Sequence, residues 1–544
     1  MTNMGKQGTY PLDGRILATG DTLTGVVTGQ TADVPIENLK AYTDGQISTS
    51  LSEGAAAWAD VNGIDSSDGT TVRNTQASAI LQRMAYLRGL RVNVCDPAFA
   101  GGASRTGGDL VAAFNAAAAL LQAHGGGVIE IPYGSFGVSA TLDIAEGIDV
   151  LVHGATIKAL APVKSLFRIT AGLTSLVGGS FDNANGNAQS FLQVDKGWDD
   201  KPVLISPGYV GGFTEGVTWL AGDRAIIKGG MYVSNEIHIH SLDNMMNSEI
   251  SDILMLGGNG VLIEKTTTDG SKGAPEGIGI SRLKVLLGQS PATYCINLKA
   301  GLEVRIQGNI FDQIVNGQAV ILDATAATVN NVKLDCNWMG RNAGASGAQF
   351  GVYAIGAVGT PHLSNNTYSG WQEAGIYFNG QAVGTAAYDV LIEDETFYHV
   401  DPCTMDINLN YAQRTRISNV TFNGDESLGV GPGVDGRVDL CNWNSKLPPA
   451  LTLGMKYGLQ GSGMVLKSRG KTVIPQTDRL VAVAHGLSYP PDPSQLRAWA
   501  IGFANNAPGE IVCQDLGTTG FDIVSRNDPG ASGCPVAWTA DLTE

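Results

Sequence analysis

The 544-residue chain is 43% apolar and 16% charged and carries 72 glycines, a folded rather than a disordered composition. Its formal net charge of −17 repels phosphate backbones and argues against nucleic acid as a partner. The same sign disfavours a strongly anionic polymer unless a local basic patch overrides the global field.

In chain order, residues 1–70 are rich in Gly, Thr, Asp and Ser. The first residues lack a basic region followed by an apolar core, so no secretion signal is expected. Val26 and Val27 read as a short strand, and Asn38 to Ile47 as a single helix. Such a piece buries little core alone and is expected to dock elsewhere. Residues 71–94 are read as a helical neck. Ala77, Ile80, Met84 and Leu87 follow the step of a coiled-coil seam, with a helix packed on its own domain as the alternative.

Residues 95–443 carry the main signal. Asp109 is a plausible N-cap for a helix over 109–123, with Leu110, Phe114, Ala117 and Leu121 on one face. Gly125 to Gly127 stop it, and Val128 to Ile131 read as a strand ended by Pro132. A degenerate repeat then sets in. SDILMLGG, SRLKVLLG, RIQGNIFD, VKLDCNWMG, HLSNNTYSG, VLIEDETFYH and RISNVTFNG are each followed by a second short strand. Leu254, Val285, Ile310, Trp338, Tyr368, Phe397 and Phe422 recur about every 25 to 30 residues, as repeating solenoid units do. Short strands joined by Gly/Asn turns, without intervening helices, predict a parallel β-helix. Asn309, Asn337, Asn366 and Asn419 are expected at left-handed bends. The span 182–223 breaks the rhythm and is read as an insertion. Its Trp198, Tyr209, Phe213, Trp219, Asp195, Asp199, Asp200 and Glu215 offer a second place to look for a site, in a groove or against a neighbouring chain. Residues 444–470 are read as a linker.

Residues 471–544 are read as a small β-sandwich. Its expected strands are Leu480–Ala484, Arg497–Phe503, Glu510–Cys513, Phe521–Ser525 and Val536–Thr539. Seven dispersed cysteines without a CxxC predict free thiols of a protein made in a reducing cytoplasm, with a Cys513–Cys534 pair as the alternative. No apolar run approaches a membrane span, so membrane insertion is not expected.

Asp109 to Ala123, Gly125 to Gly127 and Val128 to Pro132 together resemble the entry of the pectate-lyase-like right-handed parallel β-helix superfamily. Within it, the layout of anchor-like N-terminus, solenoid and terminal β module with His485–Gly486–Leu487 resembles phage tailspikes. That resemblance implies a homotrimer on the virion, held to a baseplate or tail protein through residues 1–70. It also implies adsorption to bacterial capsule or O-antigen polysaccharide and its depolymerisation.

Zinc-protease, P-loop and hydrolase-elbow motifs are absent, no cofactor is implied, and DNANGN at Asp182 lacks the ligand alternation of a calcium loop. His238 and His240 share a strand face but show no third ligand, which favours a structural or sugar-contacting role over metal. Glycoside hydrolysis needs two carboxyl groups across the bond. Aligning Ile376 with Met405 puts Glu373 and Asp401 on neighbouring coils as the candidate acid/base pair, with Glu395 and Asp394 in reserve. Trp338, Arg341, Tyr368, Trp371, Tyr398 and His399 are the candidate sugar contacts. The rival chemistry is a lyase acting beside a uronate; the non-enzymatic rival is a spike that only binds.

Overall fold

The computed structural model describes residues 22–27, 30–35, 90–197, 201–267, 273–288, 292–342, 345, 347–380, 385–398, 405–423, 426–443, 455–457, 467–475, 479–487, 491, 493–502, 506–517 and 519–541. The chain forms two units, 1–91 and 92–544. In the first, Thr22–Val27 pairs antiparallel with Gln30–Pro35, so Val26 and Val27 do lie on a strand. The expected helix at 38–47 and the neck up to residue 89 lie outside the described residues; the end of the expected neck is not helical but a short strand, Arg91–Asn93.

In the second unit a helix, α1, spans Val111–Ala123. It starts later than expected because Asp109 belongs to a short strand, Thr106–Asp109. The Asp109 carboxylate still accepts from the Val111 N–H at 3.1 Å, occupying a donor that the helix itself cannot pair. Leu110, Phe114, Ala117 and Leu121 are fully buried, and Phe114 meets Phe167 edge-on at 6.1 Å. The helix ends at glycines: Gly126 has φ +119°, and a Cβ there would lie 2.5 Å from the Gly147 carbonyl. The chain leaves it as the strand Gly127–Ile131.

From there the chain winds as a parallel β-helix with three strand columns. Sheet 1 contains Gly127–Ile131 and the first half of Ile148–Ala159; sheet 2 contains Ser135–Val138 and that strand's second half. Sheet 3 is a column of twelve described strands from Leu142–Ile144 to Glu426–Val430. Each coil places one residue above its counterpart, about 4.8 Å away. Ile205, Ile227, Ile250, Ile280, Ile306 and Leu334 stack this way inside sheet 1, all fully buried. At the far end Tyr368, Phe397, Phe422 and Trp443 form an interior pile with centroids 4.8, 6.4 and 4.3 Å apart.

The expected apolar column holds at Val285, Tyr368, Phe397 and Phe422, which are buried, but is one residue out of step at Leu254, Ile310 and Trp338. In sheet 2 the inward ladder runs Met255, Val285, Phe311, Met339, Tyr368 and Phe397, while Leu254, Lys284, Ile310 and Trp338 form the outward one. A strand alternates faces at every residue, so a slip of one reverses a side chain's direction.

The turn asparagines also differ from expectation. Asn419 is left-handed at φ 54°, but at the other three positions the left-handed residue is the one before, Gly308, Cys336 and Asn365. Asn309, Asn337 and Asn366 instead turn inward as a buried ladder. The Asn309 Nδ2 donates to Asn337 Oδ1 and the Asn337 Nδ2 to Asn366 Oδ1, both at 2.8 Å. The Asn366 backbone N–H and Nδ2 end on the two oxygens of Glu395, each at 2.9 Å.

The span 182–223 is not an insertion. Ala188–Asp195, Val203–Ser206, Tyr209–Gly211 and Glu215–Ala221 all pair in register with coils on either side. Trp198, Asp199 and Asp200 lie outside the described residues. The expected linker also contributes a strand, Met455–Tyr457, which extends sheet 1.

Beyond it lie two three-stranded antiparallel sheets. One holds Lys467–Ile474, Cys534–Asp541 and Leu496–Ala500; the other Leu480–Ala484, Gly520–Ser525 and Ile511–Gln514. Phe521 of one meets Trp538 of the other edge-on at 5.5 Å. Cys513 and Cys534 are free thiols.

Asn337→Ala removes the middle rung of the asparagine ladder and strands the Asn309 donors. We expect a loss of about 1–3 kcal/mol for each buried donor left unpaired, read as a lower midpoint in guanidinium unfolding. An unchanged midpoint would mean that the ladder does not stabilise the coils.

Candidate functional site

Sheet 1 presents two outward columns. Glu249, Gly279, Arg305, Lys333 and His362 form one; Ser251, Ser281, Gln307, Asp335, Ser364 and Glu393 form the other. Gly279 leaves a gap in its column, and two adjoining depressions open there, of about 930 and about 650 Å³. They share Gly277, Gly279, Arg305 and Gln307, so together they form one groove running along the stacked coils from Arg224 to His362. Its lining mixes charged, amide and hydroxyl side chains with a few apolar ones, Pro202 and Ile226 among them.

At one end of this groove a hydrogen-bonded acid cluster forms. Asp335 accepts from Ser364 Oγ at 3.0 Å and Asn365 Nδ2 at 3.2 Å through Oδ1, and from Gln307 Nε2 at 3.2 Å through Oδ2. Partial burial works to raise the Asp335 carboxyl. Donation from Asn365, Ser364 and Cys336 and the charge of Lys333 outweigh it and hold the group below the usual 3.8. Two coils on, Glu393 Oε1 lies 2.6 Å from His362 Nε2. In-register stacking separates the Asp335 and Glu393 positions by two strand steps, on the order of 9.5 Å. That is the upper end of the ~6.5–9.5 Å that admits a water between an acid and a base on a glycosidic bond.

The candidate residues read from sequence are dispersed by the same stacking. Trp338 is 38% and Tyr398 53% exposed, both outward on sheet 2. Gly340 leaves room for the Trp338 indole, since a Cβ there would lie 2.8 Å from its Nε1. Arg341 donates to the Ala345 carbonyl at 2.9 Å. Glu373, at the turn into sheet 3, is exposed and accepts from Gln349 Nε2 at 3.1 Å. Asp401 and His399 lie outside the described residues. Asp394 is exposed at a left-handed corner, where Asn419 donates to it.

Three of those expectations are corrected. Tyr368 and Trp371 are each 1% exposed, and the Trp371 indole donates to the Met339 carbonyl inside the coil. They fill the core rather than meet sugar. Glu395, also 1% exposed, is the terminus of the asparagine ladder; burial drives its carboxyl well above the usual value despite the Asn366 donors. It has no access to a bound glycan. The sheet 1 groove was missed because the sequence alignment used the second element of each repeat. Aligning the first elements, KLD, HLS and LIE, would have put Asp335, Ser364 and Glu393 in one column.

His238 and His240 part company. Burial pulls the fully buried His238 down to about 4, with Asn235 Nδ2 3.0 Å from its Nδ1. His240 is bracketed by Glu215 Oε1 at 2.8 Å and Glu264 Oε1 at 3.0 Å, and Lys299 Nζ reaches Glu264 at 3.2 Å. Burial works to lower His240, but Glu215 and Glu264 outweigh it and raise it above 6.5. Burial works to raise Glu215, and donation from His240 and Thr218 brings it below 4.5. Among the described residues no group of three such side chains could hold a metal.

This cluster stabilises most between about pH 4.5 and 6.5, because both shifts then favour the folded state. The His240 share is complete below 6.5 and fades as pH rises through its raised value; the Glu215 share fades as pH falls through its lowered one. In melts at a series of pH values, His240→Gln should flatten the decline in Tm above pH 6.5. Parallel curves for both proteins would rule the cluster out as its source.

No family model and no curated protein matches the chain. Among solved structures, the tailspike protein of E. coli bacteriophage HK620, in complex with a pentasaccharide, is 11% identical over 84% of this chain and 94% of that one, with a TM-score of 0.48. The tailspike gp49 of Pseudomonas phage LKA1 is 10% identical over 79% and 93%, at 0.42. The A-module of the Azotobacter vinelandii mannuronan C-5 epimerase AlgE6 is 14% identical over 66% and 100%, at 0.40. Identities this low carry no residue roles from those proteins to this chain.

Proposed function

We propose that this chain is a phage tailspike. On this reading it acts as a homotrimer that adsorbs to bacterial surface polysaccharide through the sheet 1 groove, with residues 1–70 towards the tail. The observation that carries it is a polar groove running along stacked coils, a shape matched to an extended polymer rather than to a compact ligand. Its side chains repeat about every 4.8 Å, so neighbouring sugars meet neighbouring rungs.

The same groove suits hydrolysis. Asp335, held ionised by its donors, serves as the base that activates water. Glu393, in contact with His362, serves as the acid that protonates the leaving oxygen. Arg305 and Lys333 beside Asp335 favour a second reading, β-elimination next to a uronate, whose products carry a new ultraviolet-absorbing double bond. Glu373 and Asp401, the acid/base pair read from the sequence, remain the alternative carboxylates, with the exposed Trp338 and Tyr398 as sugar contacts.

Purified protein should release reducing ends from at least one member of a panel of bacterial capsule and O-antigen polysaccharides. Asp335→Asn and Glu393→Gln should each lower that rate by about 10²–10⁴-fold while binding persists, and Glu373→Gln should leave it intact. Loss in Glu373→Gln with retention in Asp335→Asn would move the chemistry to sheet 2. Tight binding without cleavage by the unaltered chain would leave a receptor-binding spike.

A further inference from the structure

We infer that the sheet 1 groove is built for an acidic polysaccharide, with the anionic group of one sugar seated over Arg305 and Lys333. This rests on the glycan-binding reading and narrows it to a substrate class.

The chain has 51 acidic and 34 basic side chains, so its surface cations have carboxylates at hand. Most arginines of the coils use them. Arg282 lies 2.6 Å from Asp252, Arg414 2.6 Å from Asp389 and Arg437 2.7 Å from Asp439. Arg305 and Lys333 do not. They are direct neighbours on successive coils, yet neither side chain makes a hydrogen bond or an ion pair with any described residue.

The nearby acids are otherwise engaged or do not reach them. Asp335 is saturated by Ser364, Asn365 and Gln307, and Lys333 acts on it only from beyond ion-pairing distance. Glu249 lies 3.7 Å from Arg282, and Glu303, at the groove wall, pairs with neither cation. Like charges opposite one another on adjacent strands destabilise a sheet. Here the pair sits beside the gap left by Gly279, and Arg305 belongs to both depressions.

A carboxylate, or another acidic substituent of a sugar, bridging the two cations would remove that repulsion and gain charge-assisted hydrogen bonds from both. His362, next in the column, extends the donor row by one coil. The net charge of −17 does not forbid such a ligand. The field of remote exposed carboxylates is screened beyond about 8–10 Å at physiological salt, whereas a contact in the groove is not.

The test is equilibrium binding of the full chain to a panel of capsule and O-antigen polysaccharides, acidic and neutral, by biolayer interferometry. Each acidic binder is measured again after chemical reduction of its carboxyl groups. We expect only acidic members to bind, and reduction to abolish binding. Arg305→Gln and Lys333→Gln should each weaken it about tenfold or more. Lys284→Gln, an exposed cation of sheet 2, should leave it unchanged. Equal binding of neutral or carboxyl-reduced polysaccharide, or no effect of the two groove substitutions, would overturn the acidic-substrate inference while leaving glycan binding intact. Failure to bind any polysaccharide would overturn both.

Discussion

The constraint on which this structure depends is in-register hydrogen bonding between parallel coils. A buried peptide group cannot go unpaired, so each strand must present its donors and acceptors at the spacing of the strand below. Once that holds for one rung, every side chain acquires a counterpart about 4.8 Å away. The aliphatic ladder of sheet 1, the aromatic pile from Tyr368 to Trp443 and the asparagine ladder are consequences of that one spacing.

The asparagine ladder shows how the corner between sheets 1 and 2 is closed. The left-handed residue bends the chain and leaves the following residue facing inward with an unpaired backbone N–H. An asparagine on the next coil accepts that N–H with its carbonyl oxygen and passes its own amide hydrogens on. The series needs an acceptor at its end, which Glu395 supplies with both oxygens. An acid that looks catalytic in the sequence is thus part of the scaffold, and its burial is the reason.

Outside the helix the same stacking creates chemistry from residues remote in sequence. Asp335 and Glu393 are separated by 58 positions in the chain but by two rungs on the surface. Arg305 and Lys333 stand one rung apart without a counter-ion, while Arg282, Arg414 and Arg437 are each neutralised locally. The groove therefore combines two unneutralised cations, carboxylates and a row of amide and hydroxyl groups along the axis of the solenoid.

The sequence by itself determined the solenoid, its entry helix and five strands of the last segment, but not Lys467–Ile474, which begins in the span read as a linker. Those follow from local signals: Leu110, Phe114, Ala117 and Leu121 on one helix face, the glycine stop after it, and a recurring unit too small to bury its own apolar side. It also determined that the cysteines are dispersed and that Trp338 and Tyr398 belong to the coils. Which face each residue occupies was decided only by the tertiary structure, because a single-residue shift in register exchanges inside for outside. That is why Tyr368 and Trp371 prove to be core, why Glu395 caps a ladder, why the strands of 182–223 stack with the coils, and why Asp335 and Glu393 share one outward column.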